Sequence, residues 1–333
     1  MTVELAEIVK DIDMYDLASK TINSAELTED ETVVASKLDE HFKKIGKRGC
    51  DPEHEIAAFV ETTVNTQIDE AEDAILDILF DRGTVGAYDD FDVTVTPKNT
   101  LVAYECAAGG NVPRSFVDVS VITPTWFRKQ IETDIRYSDL ERNGWKTVAT
   151  ITDYAVQELR NQMFAAVFDK LNGAITSGAD NYIAESTAKP TQASADAAAL
   201  YVNDHVESGN GVFIARSKYI QNLSKMSDAT AFLSSGMKDK INQTGFLGFY
   251  DGVALQKVSS ANTLGDGKAM FPDKVIFGVA GKIGTLNTRG DVTVYEEMDN
   301  NKEVCKLMFK NFSFGIAFNK DTLEKVCKIQ MAQ

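Results

Sequence analysis

FDVTVTPKNTLVAYECAAGGNVPRSFVDVSVITPTWFRKQIETDI (Phe91 to Ile135) and, a short gap later, TVATITDYAVQELRNQMFAAVFDKLNGAI (Thr147 to Ile175) decide the fold of this chain. In the first stretch, apolar and polar residues alternate on both sides of CAAGGNVPR, Cys106 to Arg114. Gly109, Gly110 and Asn111 tolerate positive φ and Pro113 withholds an amide, so the pattern predicts two strands meeting at an apex. Val93 and Val95 on one side, with Val117, Val119 and Val121 on the other, predict strands with one covered face. Each strand-like run exceeds the usual length of roughly 5–6 residues. In the second stretch Val148, Ile151, Ala155, Leu159, Met163, Val167 and Leu171 recur every three or four positions, which predicts a helix. Phe164 and Phe168 make its later half apolar over most of its circumference, and Gly173 and Gly178 mark its end. At about 1.5 Å per residue it is about 43 Å long. A long hairpin beside a long helix reaches neighbours, and it lacks the pocket-building loops that catalysis needs.

Working outward, the formal charge of −16 is unevenly placed. Residues 1–82 hold 21 Asp+Glu against 8 Lys+Arg, a balance of −13, and the remainder holds 29 against 26, a balance of −3. The near-neutral body offers no basic groove for nucleic acid. The acidic quarter reads as helices: Leu5, Ile8, Val9, Ile12 and Leu17 form one apolar face, and Val33, Val34, Leu38, Phe42 and Ile45 a second. The third runs from Ile56 through Phe59, Val60, Val64, Ile68, Ala71 and Ile75 to Leu79. Ser24, Thr28 and Asp51-Pro52 are the expected helix starts. Lys47-Arg48-Gly49 is an expected stop, with cations at the negative helix end and a glycine after them. Such stripes suit an arm that packs on something else.

Beyond the long helix, STAKPTQASAD (Ser186 to Asp196) reads as a surface linker, Ala197–Val206 as a helix, and GVFIA from Gly211 as a short buried strand. SKYIQNLSKMSDATAFLSSGMKDKI reads as interrupted helix. After Gly265-Asp266-Gly267 the chain turns β-rich. Strands before the long helix and after this insert imply a split β-domain, with roughly 190–270 as a second mixed lobe.

The catalytic inventory is empty. Only His41, His54 and His205 occur among the histidines, and Ala58 stands where a zinc-protease helix starting at His54-Glu55 needs histidine. GVAGKIGT (Gly278 to Thr285) lacks the phosphate-loop spacing, because Ile276 and Ile283 occupy required positions. Cys50, Cys106, Cys305 and Cys327 are scattered, with neither metal-type spacing nor a disulfide framework. Acidic clusters at Asp89-Asp90-Asp92 and Asp69-Glu70-Glu72-Asp73 match no calcium loop and read as solvated faces. The start carries no secretory pattern, and no apolar run approaches the ~18 residues of a membrane span. Expected, therefore, are no catalytic, cofactor-binding or metal-binding residues.

Two passages carry a resemblance. SVITPTWFRKQIETDI (Ser120 to Ile135) leads toward a helix ending in MFAAVFDKLNGAI, and GFLGFYDGVALQKVSSANTLGDGKAMFPDKVIFGV (Gly245 to Val279) strings together a loop, a strand, a turn and a strand. With the element order, these resemble the major capsid protein of tailed bacteriophages, the Hong Kong 97-like fold that encapsulins share. The resemblance covers nearly the whole chain but includes no invariant motif. It implies an α+β fold with a helical N-terminal arm at 1–82 and an extended β-hairpin loop at 83–119. A peripheral domain begins at 120–188 with a spine helix at 147–175, an axial domain follows at 189–268, and peripheral strands return at 269–333. Some family members crosslink a hairpin lysine to a peripheral asparagine. Lys98 lies away from the apex and no partner asparagine is identifiable, so that chemistry is not carried over.

The implied function is a major head protein, not an enzyme, that self-assembles through pentamers and hexamers into an icosahedral shell around double-stranded DNA. The DNA is contacted non-specifically, and the implied partners are a portal and scaffold or decoration proteins, without a membrane. The expected place is the virion, after assembly in the host bacterial cytoplasm. Arg114 and Arg128, near the hairpin apex and base, are the expected cations facing acidic residues of a neighbour. Asn111 at the apex is a further candidate contact, as is Trp126, which like Trp145 reads first as a core anchor. Two alternatives remain: an encapsulin-type compartment with enzyme cargo, and an enzyme or ligand-binding protein of unfamiliar α+β fold.

Overall fold

The computed structural model describes residues 5, 8–9, 12–70, 74–89, 93–95, 101, 103, 105, 120–207, 209–226, 248–259, 263–299, 301–318 and 320–332. The chain folds into two compact units, each assembled from three separate stretches.

The first unit takes Met1–Glu72, Phe127–Met163 and Thr288–Phe314. It begins with helices α1 (Met14–Asn23), α2 (Glu29–Arg48) and α3 (Glu55–Glu70). Thr28 caps α2: its hydroxyl accepts from the Glu31 amide while the Glu31 carboxylate accepts from the Thr28 amide, satisfying two donors reciprocally. Gly49, at φ 63°, closes the helix by donating to the Ile45 and Gly46 carbonyls. The expected start of α3 at Asp51-Pro52 is corrected to Glu55. His54 sits at φ 52°, outside helical space, and the Asp51 carboxylate accepts from the Ile56 amide at 2.9 Å from ahead of the helix.

Phe42 of α2, Phe59 of α3 and Trp145 meet in one aromatic cluster, with ring centroids 5.4–6.3 Å apart. Trp145 opens α6 (Trp145–Ala174), whose residues to Met163 belong here, and its indole N–H donates to Thr21 of α1. Strand β4 (Thr125–Arg136) leads into α5 (Tyr137–Asn143). A Cβ on Gly46 would stand 2.5 Å from the Glu141 amide nitrogen, so glycine lets α2 cross α5 closely. β4 pairs with β12 (Val304–Ala317), which pairs antiparallel with β11 (Thr293–Asp299). Along the edge of β11, α3 supplies partners: the Asn65 side chain exchanges two hydrogen bonds with the Val292 backbone, and Glu61 accepts from the Val294 amide.

The second unit takes Asp73–Trp126, Phe164–Asn287 and Gly315–Gln333. Helix α4 (Ala74–Leu79) runs straight into strand β1 (Phe80–Val85), which pairs with β10 (Gly284–Arg289). β1 was not anticipated, because FDRGTV shows no alternation and is exposed at Asp81–Thr84. β2 (Val93–Val95) and β3 (Ser120–Ile122) pair antiparallel, Val93 opposite Ile122 and Val95 opposite Ser120, at the base of the expected hairpin. Its apex lies outside the described residues.

A six-stranded mixed sheet in the order β5-β13-β9-β6-β8-β7 dominates this unit. Its strands are β5 (Tyr182–Ala184), β6 (Val212–Arg216), β7 (Phe249–Tyr250), β8 (Val253–Val258), β9 (Val275–Val279) and β13 (Val326–Gln330). β9, β6 and β13 are buried almost throughout, as their continuous apolar runs require. Helix α7 (Gln192–His205) seats Ala195, Ala198, Ala199 and Val202 in the same core as Phe213, Ile276 and Ile329. Gly278 allows this fit, since a Cβ there would meet Val202 at 2.7 Å. α8 (Ser217–Met226) adds Tyr219, Ile220 and Leu223, and α9 (Lys320–Leu323) precedes β13. At the end of α6, Phe164 packs on Phe168, which in turn meets Phe271 and Phe277. The Asn172 carbonyl near its end and that of Ile175 just past it accept from the buried ammonium of Lys328, a cation at the negative end of the helix.

Candidate assembly surfaces

Arg128, exposed on β4, donates from its guanidinium to Asn311 Oδ1. Asn311, at φ 69° within β12, in turn donates to Thr293 Oγ1 at 3.1 Å, so one polar chain ties β4, β12 and β11. Trp126 is half-buried with its ring against Gly315, where a Cβ would approach to 3.1 Å. Trp145 is 2% exposed and serves the core. Asn111 and Arg114 lie outside the described residues.

Sequence reasoning missed a polar groove of about 980 Å³ in the first unit. It is lined by Glu132, Thr133 and Asp134 of β4 and by Glu297, Asp299 and Lys306 of β11 and β12 among others. Lys306 pairs with Glu132, and Lys302 lies 3.5 Å from Asp299, leaving the groove acidic on balance. Its trace in the sequence is the polar alternation of QIETD before Ile135, which marks the uncovered face of a strand.

Beside the start of α3 lies a buried cluster that also went unnoticed. Asp51 is 1% exposed, and the Glu296 side chain is fully buried. Glu296 Oε2 accepts from the Ala57 amide, whereas Oε1 has no hydrogen-bond partner. Burial first, and then the neighbouring Asp51 carboxylate, push Glu296 up to about 7. The same burial pushes the Cys305 thiol and the Tyr137 hydroxyl up, which keeps both protonated and unreactive at neutral pH. His41 and Glu55 stand 2.9 Å apart nearby. Among the described residues, no group of His, Cys, Asp and Glu is arranged to hold a metal ion. No helix there is long and apolar enough to cross a membrane.

No curated protein matches the chain. A family model described as "SPbeta prophage-derived putative capsid protein YonB" matches residues 4–322. The chain belongs to this capsid family. Its fold is that of phage capsid proteins. A structure titled Microbacterium phage Oxtober96 is similar at TM-score 0.54 and 17% identity, over 79% of this chain and 92% of that one. The capsid of a native GTA particle gives 0.52 and 14%, over 78% and 90%. The procapsid of satellite phage P4, which includes its size determination protein, gives 0.52 and 11%, over 81% and 90%. The capsid protein is thus a shell subunit of a phage or prophage, and the α+β class and the capsid fold expected from its element order are the ones found.

Proposed function

We propose that this capsid protein forms an icosahedral head of pentamers and hexamers that encloses double-stranded DNA, without enzymatic activity. The observation that carries the reading is the match to a capsid family across 4–322. The α6 helix and the strands β4, β11 and β12 act as a plate. The helices of the arm at 1–82 pack on their own plate, the hairpin loop at 83–119 crosses onto an adjacent one, and the lobe from 189 onward meets its copies around symmetry centres. The sheet pairing β6 and β8 with β9 and β13 supports extending that lobe past the expected boundary at 268. Repetition of modest contacts in large obligate interfaces gives cooperative closure. Arg114, Arg128, Trp126 and Asn111 belong to those contacts. Assembly takes place in the host bacterial cytoplasm, with a portal and scaffold or decoration proteins as partners, and packaged DNA meets the wall non-specifically.

Negative-stain microscopy of the purified protein tests this directly. Shells or ring-shaped capsomers are expected, and Arg114→Glu should suppress them while leaving the far-UV circular dichroism unchanged. A uniform 36.5 kDa monomer would overturn the reading. Shells from phage lysates that hold protein cargo and no nucleic acid would overturn its DNA part.

A further inference from the structure

The first turn of α3 receives two carboxyl groups on consecutive amides. Asp51 Oδ2 accepts from Ile56, and Glu296 Oε2, from strand β11, accepts from Ala57 at 3.4 Å. Both side chains are buried, and Glu296 Oε1 makes no hydrogen bond among the described residues. A helix N-terminus favours a nearby anion only modestly. Burial beside a second carboxyl disfavours the charged form of Glu296 more than the helix end favours it. We propose that Glu296, buried beside Asp51, is a protonation latch, which docks the start of α3 on β11 while its carboxyl is protonated and loosens when it ionises.

Among the described residues, the surroundings offer Glu296 little to neutralise it. Facing Glu296 are Asp51 and His54 from the segment before α3, Tyr137 from α5 and Cys305 from β12, while Cys50 and Asp134 act on Tyr137 and Cys305. Of these only His54 can bring positive charge, and its Nδ1 is 4.0 Å from Glu296 Oε2 on a side chain 56% exposed. A charge held so loosely in water compensates a buried carboxylate poorly.

The direction with pH follows from linkage. The docked form binds a proton that the undocked form releases at the ordinary carboxylate value of 4.5, so docking weakens as pH rises from 4.5 to about 7 and is level above. Hydrogen exchange of the Ile56 and Ala57 amides in the full-length subunit, corrected for intrinsic rates, reads this out. Opening should rise up to about tenfold per pH unit within that window. In Glu296→Gln, which keeps the acceptor and removes the charge, the profile should be flat. A flat wild-type profile, or a variant that keeps the wild-type slope, overturns the latch. If the variant does not fold, infrared spectra of the wild type decide: a protonated-carboxyl band titrating near pH 7 supports the latch, and its absence at pH 5.5 overturns it.

Discussion

Glu185 shows how much one carboxylate can organise. It accepts from the amide and the hydroxyl of Thr191, which itself caps α7, and these bonds with that of Ser194 hold it down at about 2. Because the folded value lies below the ordinary 4.5, its stabilisation is complete above pH 4.5 and is lost as pH falls toward about 2. Glu185→Gln should therefore unfold at lower urea at pH 7 than the wild type, with the gap closing near pH 2–3, as tryptophan fluorescence would register. None of this was legible beforehand: STAKPTQASAD reads as linker because Glu185 lies six residues back across a turn and the box partner of Thr191 is Ser194, where Glu or Gln is the usual signal. Thr28 was legible, since its box partner Glu31 lies within the same four residues. The latch pair was not, because Asp51 and Glu296 are far apart in sequence and nothing in either segment marks its neighbour as buried.

Among the elements, helices announced themselves and strand partners did not. The stripe from Val148 to Leu171 predicts a helix over 147–175, and α6 spans Trp145–Ala174. Its apolar positions are spaced by the same backbone geometry that forms it. β13, by contrast, lies between β5 and β9, partners that share no local signal with it. The return run of the hairpin was expected to be continuous, yet it divides at Thr123-Pro124 into β3 and β4, where proline cannot donate to a ladder. The α2–α5 crossing yields a sharper expectation. Gly46→Ala gains about 1 kcal/mol of helix propensity, but its methyl would meet the Glu141 amide at 2.5 Å, and overpacking costs about 1–3 kcal/mol. Backbone cannot turn aside as a side chain can, so the urea midpoint should fall, not rise.

At the scale of the whole molecule, charge is the variable that assembly must handle. The arm carries −13 of the formal −16, and a shell repeats it in every subunit. With a Debye length of about 10 Å at 0.1 M salt and about 30 Å at 0.01 M, neighbouring arms repel far more strongly in dilute buffer. Shell yield, followed by light scattering, should drop as ionic strength is lowered tenfold, and a variant with arm carboxylates neutralised should lose that dependence. A yield unaffected by salt would show that the arms are kept apart or paired.

The side chains of α3 along β11 bear on a different hazard. A head gathers its subunits at a concentration far above that of free protein, where a bare strand edge invites a neighbouring backbone to add itself in register and grow without limit. Asn65 and Glu61 occupy the Val292 and Val294 groups that such an intruder would need. That end of the β11 edge is thereby closed to ladder growth, which favours association through surfaces whose geometry ends in a finite particle.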